Sequence, residues 1–283
     1  VLGETLITGI GQGYVQSTPL QLCLMTAQLA NGGFKIRPKI IVSKDDIPII
    51  ETNLPSAQMI KYGSNAFLAN KVSFINEIAQ ICEKVGANIN DVIYGMGIDP
   101  RIGSNYMQPG PGFGGPCLEK DLMALVELGN FYDLESTFMK AILKRNERQV
   151  ELILDKITSE IKQAGSLITV LGLSFKANTD DIRNSASIKL INLLLKKGYK
   201  VNSYDPKAKY SLQNENYLQF DNLYSYFNKS KCAVIMTEWD DFKNLNFIKI
   251  SKLMTSNIIL DMRNIINTGN KNLSDFKYYS LGS

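Results

Sequence analysis

Residues 167–206 read LITVLGLSFKANTDDIRNSASIKLINLLLKKGYKVNSYDP. Two short apolar runs, 167–173 and 199–206, flank a polar loop and a stretch whose apolar residues recur at helical spacing as far as Gly198. The runs have the length and β-branched or aromatic content of strands, and a glycine is a natural helix stop. The segment is therefore predicted to be a β-α-β unit, which calls for an α/β fold with a Rossmann-like sheet. The loop at 174–187 contains no glycine, so it is not the G-x-G-x-x-G of a dinucleotide site. It does carry Lys176 and Arg183 among several hydroxyls, a set suited to phosphate at a helix N-terminus. A solvated polar turn is the bland reading of the same residues.

Outward from this unit the chain has three textures. Residues 1–50 hold two glycine clusters, GIGQGY (9–14) and NGG (31–33), and SKDDIPIIETNLPS (43–56) is the most linker-like stretch. Residues 53–164 are helical in pattern, and 165–283 alternate β-rich and helical runs. Domains are accordingly expected at 1–52, 53–164 and 165–283, the first poorly ordered. With 283 residues, 45% hydrophobic and 20% charged, the chain can bury two ordinary cores. Its net charge of +4 comes from scattered basic residues, which argues against nucleic acid as a partner. No apolar run approaches the ~20 residues of a membrane span. The chain starts at Val1 without a leader pattern. Cys23, Cys82, Cys117 and Cys232 are far apart and form no C-x-x-C pair, so neither a disulfide framework nor a metal site is expected, and a reducing cytoplasm fits. There is no histidine. Serine–histidine and cysteine–histidine pairs are thereby excluded, and acid–base chemistry falls to Lys, Asp, Glu, Tyr, Cys or bound water.

The helical segment is predicted to start with Ser56 as N-cap and to end at Gly86. Leu68, Val72, Ile75 and Ala79 form one stripe, and the same spacing carried backward meets Asn65 and Lys61. A lysine there can snorkel to the surface. Alternatively Lys61 and Asn65, one turn apart, line a polar pocket, with Gly63 allowing close approach. Val150, Ile153, Ile157 and Ile161 read as the packing face of a long connecting helix.

Between residues 99 and 116 glycine and proline exclude both a helix and a central strand. The segment is predicted to be an ordered loop anchored by Tyr106, Met107 and Phe113, its glycines presenting bare N–H groups to a ligand. Pro116 is expected to be the first residue of the next helix, with Cys117 in its first turn. There the helix dipole and Lys120 favour a thiolate. Cys23, Cys82 and Cys232 sit in apolar runs and read as core residues.

IKYGSNAFLANKVSFINEIAQIC (60–82) and GIDPRIGSNYMQPGPGFGGPCLEKD (97–121) resemble the central part of the UDP-glucose 6-dehydrogenases. The stretch from 170 to 206, AVIMTEWDDF (233–242) and IILDMRNI (258–265) resemble that family's C-terminal domain, in the same order. The resemblance covers residues 53–283 and implies an all-α central dimerisation domain followed by a UDP-binding domain. It implies oxidation of UDP-glucose to UDP-glucuronate by two NAD molecules, through a thiohemiacetal and a thioester on Cys117. Asp121, Lys61 and Asn65 match the residues that assist that nucleophile. Tyr106, Met107, Gln108, Pro109, Gly110 and Gly114 match the loop enclosing the sugar nucleotide, and Lys176 matches a substrate contact. Lys120 and Arg183 match cofactor contacts, and Arg263 is a weaker candidate for the nucleotide site. Arg101 matches an arginine that reaches a neighbouring subunit's substrate, which implies a homodimer.

Two departures qualify this. The family's N-terminal NAD-binding domain is absent from this sequence, since Gly9, Gly11 and Gly13 do not have the fingerprint spacing. Residues 1–42 instead resemble a fragment of the penicillin-binding-protein transpeptidases, without that family's catalytic signatures. Residues Pro116 and Glu119 also differ from the family's usual neighbours of the cysteine. The competing expectations are a UDP-sugar dehydrogenase inactive on its own, a UDP-sugar-binding or dimerising remnant without turnover, a UDP-N-acetylmannosamine dehydrogenase relative, and, least favoured, a transpeptidase relative.

Overall fold

A computed structural model describes residues 50–222, 224–267, 269 and 273–282. The glycine clusters, Cys23 and the transpeptidase-like stretch of residues 1–42 lie outside the described residues. Helix α1 spans Leu54–Val85 and ends, as its sequence requires, on Gly86 in the left-handed conformation. Its N-cap is Asn53 rather than Ser56: the Asn53 side chain accepts the Ser56 N–H at 2.9 Å. Pro55 lacks an N–H and suits the first helical turn, so the cap falls before it. Helix α2 (Ile89–Gly97) is capped by Asn88. After the loop at 98–117 come α3 (Leu118–Phe131) and the long α4 (Thr137–Glu160).

The β-α-β reading of 167–206 corresponds to β1 (Leu167–Leu171), α5 (Ala186–Lys196) and β2 (Lys200–Tyr204). They are followed by β3 (Tyr217–Gln219), β4 (Cys232–Ile235), short helices α6 (Asp240–Lys243) and α7 (Phe247–Leu253), β5 (Ile258–Asp261) and β6 (Lys277–Ser280). The strands form one parallel sheet in the order β3-β2-β1-β4-β5-β6, with Val170 in register with Ser203 on one side and Val234 on the other.

Both faces of the sheet are covered, so its central strands β1, β4 and β5 are apolar at nearly every position. Ile168, Val170, Val234 and Leu260 point to α5 and the C-terminal half of α4, where they meet Leu190, Leu194, Ile153 and Ile157. Leu171, Ile235 and Ile259 point the other way, to Tyr226, Phe242 and Phe247. The N-terminal half of α4 belongs to a different core: Ile142 packs with Ala66, Ala69, Leu122 and Phe113. One helix is thus shared between the helical region and the sheet.

The C-terminal edge of the sheet is tied by Asp205, just after β2. Its buried carboxylate accepts the Leu173 N–H at 2.7 Å, the Ser174 N–H at 3.1 Å and the Trp239 indole N–H at 3.2 Å, as well as the Lys207 and Ala208 N–H groups. Removing it strands several buried donors at once. Asp205→Ala should therefore destabilise the fold by at least about 3 kcal/mol in chemical denaturation; a loss below about 1 kcal/mol would contradict this account.

Candidate active site

Asp121 is the node at which α1 and α3 meet. Its side chain is fully buried, and its Oδ2 accepts Lys61 Nζ at 3.1 Å and Asn65 Nδ2 at 2.5 Å, while Lys120 Nζ reaches Oδ1 at 2.8 Å. Burial alone would push this carboxyl up, but the hydrogen bonds from Lys120, Asn65 and Lys61 and the charge of Lys120 outweigh it and hold the group below its ordinary range. The polar start of the α1 stripe is explained: Lys61 and Asn65, at i and i+4, deliver both donors to one oxygen. Lys61 remains half exposed, so it keeps water access while paired. At Gly63 an added Cβ would meet open space, so the backbone there is not covered by the described residues.

Cys117 lies one turn before Asp121 on α3. It is the N-cap, with Leu118 the first helical residue and the Asp121 N–H bonded to the Cys117 carbonyl at 2.9 Å. The expectation that Pro116 opens the helix is corrected by this. The chain enters through Gly115, which has a positive φ and no room for a side chain: a Cβ there would come within 2.8 Å of the Phe175 ring. Cys117 is exposed, whereas Cys82 and Cys232 are buried, and burial pushes the Cys232 thiol up strongly. The Cys117 sulfur is also close enough to Lys120 and Arg183 to act on their charge. Lys120 is raised chiefly by Asp121 and Arg183 chiefly by Asp181, with Cys117 a smaller contributor to each.

A cavity of ≈ 590 Å3 opens beside this thiol. Asn65, Tyr106, Gln108, Gly110, Gly114, Cys117 and Lys176 all line it, joined by Phe175 and Arg263 from the loops after β1 and β5. Lys176 Nζ stands 5.5 Å from the centroid of the Phe175 ring. The half-buried Arg263 donates to the Met236 carbonyl at 3.0 Å and the Phe175 carbonyl at 3.2 Å, and it pairs with Glu238.

Lys61, Lys120 and Asp121 form a cluster with Asn65 and are not among the lining residues of the cavity, and four further expected site residues stand apart from both. Met107 is buried against Ile75, Ile89 and Ile93, and Pro109 is buried too, so these two support the loop instead of facing the cavity. Short apolar side chains in a loop are best hidden from water, and the core beside α1 takes them. Arg101 is 87% exposed and folds back on Asp99 at 2.5 Å, away from the cavity. Arg183 is exposed and forks onto Asp181 at 2.6 Å, although its carbonyl accepts the Gly115 N–H at 2.9 Å.

The sequence reading missed Phe175, Asn76, Asn146 and Gln149. The last two were legible: they interrupt the buried stripe Ile142, Val150, Ile153, Ile157 of α4 in the way that Lys61 and Asn65 interrupt that of α1.

Comparison with known proteins bears on this arrangement. Residues 55–148 match the family model "UDP-glucose/GDP-mannose dehydrogenase family, central domain", and residues 169–268 match that family's "UDP binding domain". A curated relative, the UDP-glucose 6-dehydrogenase of Rickettsia conorii, is 39% identical over 251 residues, which is 87% of this chain and 58% of the relative. The chain thus spans somewhat more than half of that protein's length. Among solved structures, a UDP-glucose dehydrogenase from Pyrobaculum islandicum is similar with a TM-score of 0.71 at 30% identity, over 80% of this chain and 50% of the other. A UDP-N-acetylmannosamine dehydrogenase from Pyrococcus horikoshii gives 0.70 at 29% identity, over 82% and 53%.

Two outcomes follow from the geometry. Iodoacetamide should modify Cys117 before Cys82 or Cys232 in the folded chain, as read by peptide mass spectrometry; earlier reaction of either buried thiol would contradict the packing. Asp121 has a folded pKa below its unfolded value of about 3.9. Its stabilising contribution is therefore complete above that value and disappears as pH falls through the lowered one. The melting-temperature gap between the wild type and Asp121→Asn should accordingly be widest near neutrality and shrink in acid. A gap that widens on acidification would reverse the assignment.

Proposed function

Because the chain belongs to the UDP-glucose/GDP-mannose dehydrogenase family through its central and UDP-binding domains, we propose that it takes part in the NAD-dependent oxidation of UDP-glucose to UDP-glucuronate, with Cys117 as nucleophile. The observation that carries this reading is the exposed Cys117 in the lining of a cavity that Lys176 and Arg263 also line. The cations suit a diphosphate, and the thiol suits the carbon being oxidised.

In this reading the Cys117 thiolate adds to the C6 aldehyde. Lys61 offsets the charge that develops on the former carbonyl oxygen. Asp121, ionised because it is held below its ordinary range, keeps Lys61 and Asn65 aimed at that atom. After the second oxidation C6 is a thioester. Asn65 holds the water that attacks it; one water hydrogen ends on the departing sulfur and the other on the acid, which then ionises. NAD, when bound, accepts the hydride in both oxidations. Lys120, which is bonded to Asp121 one turn from Cys117, is the cation this reading offers to its phosphates, and Arg183 would have to leave Asp181 to join it. The chain's own sheet does not suit a dinucleotide: Asp205, at the end of β2 where such folds present an acid to the ribose, is consumed by Leu173, Ser174 and Trp239.

The same reading makes the protein a homodimer. Ile60, Phe67, Phe74 and Ile81 repeat every seven residues along α1 and are exposed, as are Phe131, Tyr132, Leu134 and Phe138 around the corner between α3 and α4. Apolar area of that extent points to a protein interface. Across it Arg101, free of its own cavity, would reach a partner's substrate. The thiols Cys82, Cys117 and Cys232 are all free, which suits a reducing cytoplasm. UDP-N-acetylmannosamine is the alternative substrate, favoured by the Pyrococcus horikoshii similarity.

These 283 residues alone should bind UDP-glucose without producing NADH, because hydride transfer needs the nicotinamide within about 3–3.5 Å of C6 and two cations do not fix a dinucleotide. They should nevertheless capture the 6-aldehyde of UDP-glucose on Cys117. Lys176→Ala should weaken UDP-glucose binding by roughly 1.5–3 kcal/mol in calorimetry. Steady NADH formation would overturn the division of labour. Equal affinity of the mutant, or tighter binding of UDP-N-acetylmannosamine, would overturn the substrate assignment.

A further inference from the structure

The cavity wall at Gly110–Phe113 is not part of any helix or strand, so its backbone groups need partners from elsewhere. Side-chain amides provide them. Asn76 of α1 accepts the Gly110 N–H at 2.8 Å, and Gln149 of α4 donates Nε2 to the Gly110 carbonyl at 2.8 Å. Asn146, one turn before Gln149, accepts the Phe113 N–H at 2.8 Å and donates to the Phe113 carbonyl at 3.0 Å. Asn76 and Gln149 are each 2% exposed and Asn146 is 7% exposed. Arg145 Nη1 donates to Gln149 Oε1 at 2.9 Å, which fixes the end of that amide that faces Gly110. There is no slack in the fit: a Cβ on Gly112 would lie 2.7 Å from Asn146 Oδ1.

A hydrophobic loop foot would have been the cheaper way to fill this space, since buried amides are tolerated only when fully paired. What an amide adds is a donor and an acceptor at a fixed spacing, matched to the N–H and C=O of one residue. We propose that Asn76, Asn146 and Gln149 are positioning residues, which hold the glycine wall in the geometry that receives the sugar nucleotide. The inference rests on reading the cavity as a nucleotide-sugar site. Asn146 needs both halves of its amide for Phe113, whereas Gly110 takes its acceptor from Asn76 and its donor from Gln149; an acceptor alone at position 146 leaves the Phe113 carbonyl facing another oxygen.

Asn146→Asp in the full 283-residue chain tests that requirement. As a carboxylate it keeps the acceptor and loses the donor; as a neutral acid it regains an O–H. Burial against a carbonyl favours the neutral form and raises its pKa from about 3.9. The charged groups in the surrounding network are Arg145 and Glu77 at the Gln149 end and Arg263 against Gly110. The chain has no histidine, so the wild type should be nearly flat across the neutral range. Near pH 8 the variant should bind UDP-glucose about tenfold more weakly than the wild type, and amide hydrogens of 110–113 should exchange about tenfold faster. Both ratios should return toward one near pH 5.5. Should that variant fail to fold, Gln149→Glu keeps a partner in Arg145, loses the donor to Gly110, and should show the same loosening. A role in stability alone would lower the melting temperature with no recovery of affinity in acid, and that result overturns the proposal. If the wild type itself does not bind UDP-glucose, the nucleotide-sugar reading fails separately. Exchange then decides the clasp: faster exchange in the variant, reversed by acid, upholds it, and unchanged exchange sinks it.

Discussion

The architecture depends on α4 being one unbroken rod. At 24 residues it is about 36 Å long, enough to bury Ile142 among α1 and α3 at one end and Ile153, Val150 and Ile157 under the sheet at the other. A helix anchored at both ends fixes the distance and angle between the helical region and the sheet's C-terminal edge. The cavity is the space left between them. Its walls come from α1, from the loop before α3 and from the loops after β1 and β5, so it exists only while that rod is straight.

Within this frame charge is placed economically. One buried carboxylate, Asp121, gathers two lysines and an asparagine, and another, Asp205, gathers backbone N–H groups and an indole. They serve different ends. Asp205 has no cation among those partners and ties loops together. Asp121 is met by ammonium groups that remain half exposed, so the cluster is at once anchored in the protein and open to a ligand. Arg263 is the converse, a half-buried cation whose partners are mostly backbone carbonyls and which stands against the glycine wall.

Much of the site was legible in the residues, for reasons that differ along the chain. Lys61 and Asn65 announced themselves by interrupting an apolar stripe, and Cys117 by its place between glycines and a helix start. Asn146 and Gln149 gave the same kind of signal but were absorbed into a packing face, because their neighbours Val150, Ile153 and Ile157 satisfy the helical period without them. Helix starts differ from their sequence expectation by two and three residues. Ser56 and Pro116 are both good terminal residues, and the choice among adjacent candidates is made by which side chain can reach a free N–H.

The sequence by itself determined the β-α-β unit, the glycine loop, the helix stops and the exclusion of histidine chemistry, since each follows from local periodicity, backbone freedom or composition. Only the tertiary structure decided which polar residues meet. Asp121 is 60 positions from Lys61, and Asn146 is 33 from Phe113. It also decided that Met107 and Pro109 are buried within the loop, and that Phe175 and Arg263 join Cys117 in lining the cavity. Such pairings depend on the crossing of α1, α3 and α4 against the sheet, and that crossing is set by the volumes of all the packed side chains together, which no single stretch of residues contains.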